Sequence, residues 1–375
     1  MPNRRDFLKT VGGATAGMFA TSRGLVDAGV LALQGRGQQQ GQAPAAPVKR
    51  KEVFVGGRRV KVVDVHAHCT VPEVAEVVKN TPLARNAGGG GGGGGGILGP
   101  DRLRAMDERG IDVQALSING FWWYAADREL ARQIVKVHDE KLAAWCAAHP
   151  DRFVALTSPA LQHPDLAAEQ LERAVKQLGL RGASIGGHVE GESLSSPKFD
   201  PFWAKAQELG VLVFMHPGGA DNVIREGGLA GSGDLGNIIG NPLETTVFFS
   251  RLIFDGTLDK FPGLKICGGH AGGFLPSYLG RTDVACDVRQ NANCANKKHP
   301  REYFKRELFV DTMVFSDEGL RHLIAETGVS QVVYGTDIPF NWPADVDPIL
   351  RASFLSDADK EAILGGNLMK LLRMS

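Results

Sequence analysis

Two histidines stand one residue apart at the end of the apolar run VKVVDVHAH: His66 and His68. Residues i and i+2 of a strand share a face, with Cα atoms about 6.5–7 Å apart from the strand rise. Two imidazoles can lean from that separation onto one metal ion. Asp64 has the same parity, below them; Cys69 has the other and is not assigned as a ligand. His188, His216 and His270 end other apolar runs, Asp337 ends the last, and Asp311 lies in the one before it. His216 can supply a third nitrogen and Asp337 an oxygen. Three imidazoles and one carboxylate suit Zn2+, with Mn2+, Fe2+ or Co2+ as alternatives. Such an ion polarises a substrate oxygen or activates water. His270 is assigned to proton transfer, since an ordinary imidazole titrates near neutrality; the alternative is a fifth ligand.

Each of these residues alone has a plainer explanation. A histidine before proline can end a strand, and the aspartate of YGTD can cap a helix. Their common place at the ends of successive runs argues for one site. His138, His163, His299 and His322 fall on helices and loops and are read as structural.

The runs that must position these groups are 60–68, 111–118, 152–158, 180–188, 211–216, 264–270, 308–314 and 330–337. Helical patterns separate them. In 165–179, Leu166, Leu171, Val175 and Leu178 fall near one face. Eight strands alternating with helices predict an α/β fold with a parallel sheet, closed as a distorted (β/α)8 TIM barrel. An open doubly wound sheet is the alternative. In a barrel the strand C-termini converge on one mouth, so residues scattered along the chain can meet there. The homopolymer Gly88–Gly96 lacks the strand-to-helix context of a phosphate cradle. It reads as an insertion after the first strand, either a lid over the mouth or a tolerated expansion.

Acidic and basic residues balance at 42 each, which leaves no electrostatic footprint for nucleic acid. No apolar run is long enough to span a bilayer. The five cysteines form no C-x-x-C pair, against a zinc ribbon. Cys286 and Cys294 could bridge in an exported protein. Near the N-terminus, Arg4 and Arg5 precede a short, weakly apolar stretch, the layout of a twin-arginine signal. Residues 1–50 are thus read as signal and flexible linker, 51–375 as the catalytic barrel, and the location as periplasmic or exported.

The stretches VDVHAH, VFMHPGG, NPLETT, GGHAGGFLPSYLGR and VVYGTDIPF, in this order, resemble the amidohydrolase superfamily. More narrowly they resemble its aminocarboxymuconate-semialdehyde decarboxylase group, over nearly all of 61–372. The resemblance implies one divalent metal held by His66, His68, His216 and Asp337, with His270 as catalytic acid/base. It also implies that Arg281 reaches a neighbouring subunit's site to bind a substrate carboxylate, so a homodimer is expected. His188, at the fourth run's end, is assigned to substrate binding. The group's second substrate arginine has no convincing counterpart; Arg85 and Arg102 flank the glycine run without that role. Its HPW is His216-Pro217-Gly218 here, and Trp122, Trp123 and Tyr124 are the candidates to replace the missing aromatic wall. The expected reaction is non-oxidative decarboxylation of an unsaturated or aromatic carboxylic acid. The alternative is hydrolysis of a lactone or amide, or a hydration, with Asp337 or His270 deprotonating the water.

Overall fold

The computed structural model describes residues 49–86, 96–118 and 122–374. The expected signal and linker, apart from residues 49 and 50, lie outside these, as does the glycine run up to residue 95.

All eight expected strands are present, each shorter than its apolar run: β1 (Val63–Cys69), β2 (Val113–Ile118), β3 (Phe153–Ala155), β4 (Gly182–Ile185), β5 (Leu212–Met215), β6 (Lys265–Gly268), β7 (Leu308–Asp311) and β8 (Val332–Val333). The main helices are α1 (Pro100–Arg109), α2 (Arg128–Ala148), α3 (Pro164–Leu178), α4 (Asp200–Leu209), α5 (Asn241–Phe254), α6 (Leu275–Val288), α7 (Pro300–Arg306), α8 (Asp317–Thr327) and α9 (Asn367–Leu371). Strands β1–β3 pair in parallel, as do β4 through β8.

Two irregular seams close these sheets into a barrel. A bridge from Thr157 to Ala183 joins β3 to β4. At the other seam Ala67 bridges Ile338, Asp337 N–H donates to the His66 carbonyl at 2.7 Å, and His68 N–H donates to the Ile338 carbonyl at 2.7 Å. The open-sheet alternative is thereby excluded. Two apolar layers hold the barrel. Val63, Val65, Val113, Leu212, Phe214 and Val333 form a small cluster with Leu368 and Leu371 of α9. Ile185, Val213, Met215, Ile266 and Val310 join the larger core that includes the helices. The period-2 alternation of each strand sorts its residues between these layers.

Helix α3 has the expected face. Leu166 and Leu171 are fully buried, Val175 and Leu178 pack at the edge of the core, and Gly179 ends it in the left-handed conformation. Cys286 and Cys294 are disulfide-bonded, which ties the end of α6 to the following loop. Cys69 and Cys267 are buried free thiols.

Candidate active site

The histidines of β1 point into the barrel mouth. Both side chains are fully buried, and the register between β1 and β2 shifts between Asp64 and Ala67. Asp64 does not join them. Its carboxylate accepts from the His66 N–H (3.0 Å), Gln114 Nε2 (2.9 Å), Thr336 N–H (3.1 Å) and Thr336 Oγ1 (2.6 Å). Arg102 lies in the same buried layer and donates to the His68 carbonyl and to Gln114. It supports β1. Burial pushes the Cys69 thiol up to about 12, and Cys69 is not among the clustered donors.

Five side chains converge. His66 Nε2 and His68 Nε2 lie 3.1 and 3.0 Å from Asp337 Oδ1. The His216 ring is centred 4.9 Å from that of His66 and 4.4 Å from that of His68. His270 Nε2 is 3.9 Å from Asp337 Oδ2. One donor atom each from His66, His216, His270 and Asp337 lies within 4.8 Å of the others. His68 belongs with them through its contact to the same aspartate oxygen. These residues come from β1 and from the ends of β5, β6 and β8, as the convergence of strand termini requires.

Orphaned atoms test whether a metal fits. His66 Nε2, His68 Nε2, both ring nitrogens of His216 and Asp337 Oδ1 are buried and make no hydrogen bond among the described residues. Buried polar atoms are normally satisfied. In this cluster the atoms left without a hydrogen bond lie on four imidazoles, those of His66, His68, His216 and His270, and on one carboxylate oxygen, the donor chemistry of a divalent ion. The residues fit.

The ring opposite the cluster is held as well. His66 Nδ1 lies 2.7 Å from Asp311 Oδ2, so its proton sits on Nδ1 and Nε2 is left as the donor atom. The same carboxylate accepts the backbone N–H groups of His270 (3.1 Å), Ala271 (2.7 Å) and Met313 (3.2 Å). The sequence marks Asp311 only as an acid on a strand; its bond to a residue on the first strand has no local signature.

Electrostatics follow from packing charge in a dry place. Burial opposes a charged His66, but Asp337 and Asp311 outweigh it and push its pKa up to about 10. Burial drives His68 down to about 4. Burial, then His68 and His66, hold His216 well below its usual value. Asp337 stays far below the carboxylate range: burial opposes this, and His66, His270 and His68 together prevail. His270 and Asp337 also adopt left-handed backbone, with φ of 53° and 59°. This costs a non-glycine residue about 1–2 kcal/mol, and such outliers gather at functional sites.

The remaining expectations divide. His188 lies beyond β4 in a two-stranded ribbon, His188–Val189 with Glu192–Ser193, and its Nδ1 accepts from the Gly191 N–H at 2.9 Å. It is outside the five-residue cluster. Arg281 is exposed on α6 and has no ion pair among the described residues. Trp122 packs against Gly186, and the Tyr124 hydroxyl accepts the Gly186 N–H at 3.2 Å. Trp123 turns away, its Nε1 donating to His138 at 3.1 Å, so it is no wall of the mouth. His138 is a buried structural histidine, as expected. A buried acid, Glu244 on α5, was not singled out by sequence reasoning. Burial raises it to about 7 against three backbone N–H groups that pull it back.

The fold and this constellation define a class. The amidohydrolase family profile matches residues 63–374, and the chain belongs to that family. Its relatives include 2-amino-3-carboxymuconate-6-semialdehyde decarboxylase of Dictyostelium discoideum, 31% identical over 73% of this chain and 76% of its own. Gamma-resorcylate decarboxylase of Rhodococcus jostii is 32% identical over 73% of this chain and 87% of its own. Among solved structures, the dihydroxybenzoic acid decarboxylase of Polaromonas sp. JS666, with bound manganese and the inhibitor 2-nitroresorcinol, superposes with a TM-score of 0.71 at 27% identity. The match covers 84% of this chain and 97% of that one.

Proposed function

We propose that this protein is a metal-dependent, non-oxidative decarboxylase of an aromatic or unsaturated carboxylic acid. The observation that carries the reading is the set of orphaned donor atoms on His66, His68, His216 and Asp337, with His270 beside it. Relatives bearing decarboxylase names share this barrel.

Those four residues hold the metal, which when bound supplies a Lewis acid for a substrate oxygen. Three imidazoles and a carboxylate suit Zn2+; the manganese of the Polaromonas relative makes Mn2+ the ion to compare with it. His270 is the least buried of the five groups, with 15% of its side chain exposed, and its Nε2 faces the mouth beside Asp337. As an imidazolium it delivers its proton to the ring carbon that bears the carboxylate. The new C–H bond forms from the π electrons. The C–C bond to the carboxylate then breaks, its electron pair restores conjugation, and CO2 leaves. Asp337 Oδ2 lies 3.9 Å from His270 Nε2. His188, just beyond β4, is assigned to the distal part of the substrate.

Arg281 anchors a carboxylate in a partner copy's mouth. Exposed Phe274, Tyr278 and Val288 lie on and beside α6 with it, which supports a homodimer; sedimentation at micromolar concentration tests this, and a monomer removes the role. Export by the twin-arginine route is supported by the Cys286–Cys294 bond, since disulfides persist in oxidising compartments. Cell fractionation of an Arg4→Lys, Arg5→Lys chain checks it: unchanged location sinks the proposal.

The central test is CO2 release from gamma-resorcylate and related carboxylic acids by protein loaded with Mn2+ or Zn2+, beside a panel of lactones and amides. Hydrolysis without CO2 release overturns the reading. His270→Ala is expected to abolish turnover and leave metal content intact.

A further inference from the structure

The stretch NPLETT opens α5, and nothing in the reaction above uses it. We propose that it is the clamp that sets the mouth, with Glu244 and Thr246 as positioning residues for three loops that carry His188, His216 and His270. This rests on reading the cluster as the reaction centre.

Glu244 is 3% exposed. Its Oε1 accepts the Gly187 N–H at 2.8 Å. Its Oε2 accepts the N–H groups of Gly218 (2.9 Å) and Gly219 (2.7 Å). Gly187 immediately precedes His188, and Gly218 follows His216 by two residues. One carboxylate therefore fastens the loop after β4 to the loop after β5. A carboxylate suits the task because it only accepts, with two oxygens for three donors. The backbone at Gly187 must come this close: a Cβ there would sit 2.7 Å from Glu244 Oε1 and 2.6 Å from Met215 Cε.

Thr246, two residues on, serves the third loop. Its hydroxyl donates to the Pro242 carbonyl at 2.7 Å and accepts the Phe274 N–H at 2.8 Å. The neighbouring Gly273 has φ of 70° and lies against the Pro242 carbonyl, where a Cβ would come within 2.2 Å. The loop that presents His270 is thus pressed onto the start of α5. Asp311 holds the near side of the same loop through His270 and Ala271. The metal ligand on β5 and the proton donor after β6 are referenced to one helix start, at two different side chains.

That division yields a test with separate readouts. In Glu244→Gln, the amide nitrogen must face a backbone N–H of one loop or the other, so the link between the loops after β4 and β5 is broken. Affinity for Mn2+, titrated into dialysed full-length protein without substrate, is expected to fall about tenfold, in the range for outer partners of a metal site. In Thr246→Val the acceptor for Phe274 is lost. Here kcat for gamma-resorcylate is expected to fall about tenfold, with KM and Mn2+ affinity within about twofold, and Thr246→Ser is expected to restore it. A merely architectural role predicts lower melting temperatures with Mn2+ affinity and kcat per folded molecule unchanged, and that result overturns the proposal. If Glu244→Gln does not fold, the Thr246 pair decides. A wild-type chain that binds Mn2+ yet decarboxylates nothing removes the reaction assigned above, and the Mn2+ arm still judges Glu244.

Discussion

Asp311 shows how much one carboxylate can coordinate. It fixes the tautomer of His66 and accepts the backbone N–H of His270, so the proposed ligand and the proposed proton donor share a support. Asp311→Asn keeps the size but no longer fixes the proton on Nδ1. Metal affinity is expected to drop about 10–100-fold, measured by calorimetric titration of Mn2+. Asp139 makes a different point. It is 1% exposed on α2, and burial, eased by Thr157, raises it from 3.8 to about 7. Between those pH values the unfolded carboxyl has lost its proton and the folded one keeps it. The unfolded state binds fewer protons, so stability falls as pH rises through that window. The slope is at most about 1.4 kcal/mol per unit. Denaturant titrations of the wild type and Asp139→Asn from pH 4.5 to 7.5 should diverge accordingly; parallel curves contradict the assignment. The clustering of the histidines was readable because strand parity and strand ends are written in the sequence. Asp311 and Glu244 were not, because each acts on residues remote in the chain.

At the level of elements, the apolar runs located every strand but overstated their length. The run 180–188 ends in His188, yet β4 stops at Ile185, because Gly186 and Gly187 leave the ladder for the contacts of Trp122 and Glu244. The run 330–337 holds only a two-residue strand. Beyond it Thr336 bonds Asp64 and Asp337 turns left-handed. Pairing of Cys286 with Cys294 stayed open in the sequence, since connectivity needs the fold. The bond closes a short loop next to Ala295, whose N–H donates to the Phe254 carbonyl at the end of α5 at 2.8 Å. Replacing both cysteines by serine is expected to cost about 2–3 kcal/mol, from the loop-closure entropy of so short a ring. Thermal melts under oxidising and reducing conditions check this: the wild type should fall to the variant's value only when reduced.

For the molecule as a whole, the barrel was legible from alternation alone, while its two irregular seams were not. The cluster forms only when the barrel closes, so on the proposed reading metal binding and folding are linked. An ion that binds only the folded chain, at 100 times its dissociation constant, adds about 2.7 kcal/mol. Chelation should therefore lower the melting temperature, and Mn2+ should restore it; the Asp337→Ala chain should respond to neither. Balanced net charge matches a small-molecule role, and among the described residues no helix is long and apolar enough to cross a membrane.

The seam between β8 and β1 has a consequence for biosynthesis. Asp337 gives its backbone N–H to His66 and its side chain to the same cluster. His66 and His68 therefore leave the ribosome about 270 residues ahead of Asp337. A nascent chain that stops short of β8 has neither a shut cylinder nor the full set of clustered donors. Completion of translation and readiness for catalysis become a single event.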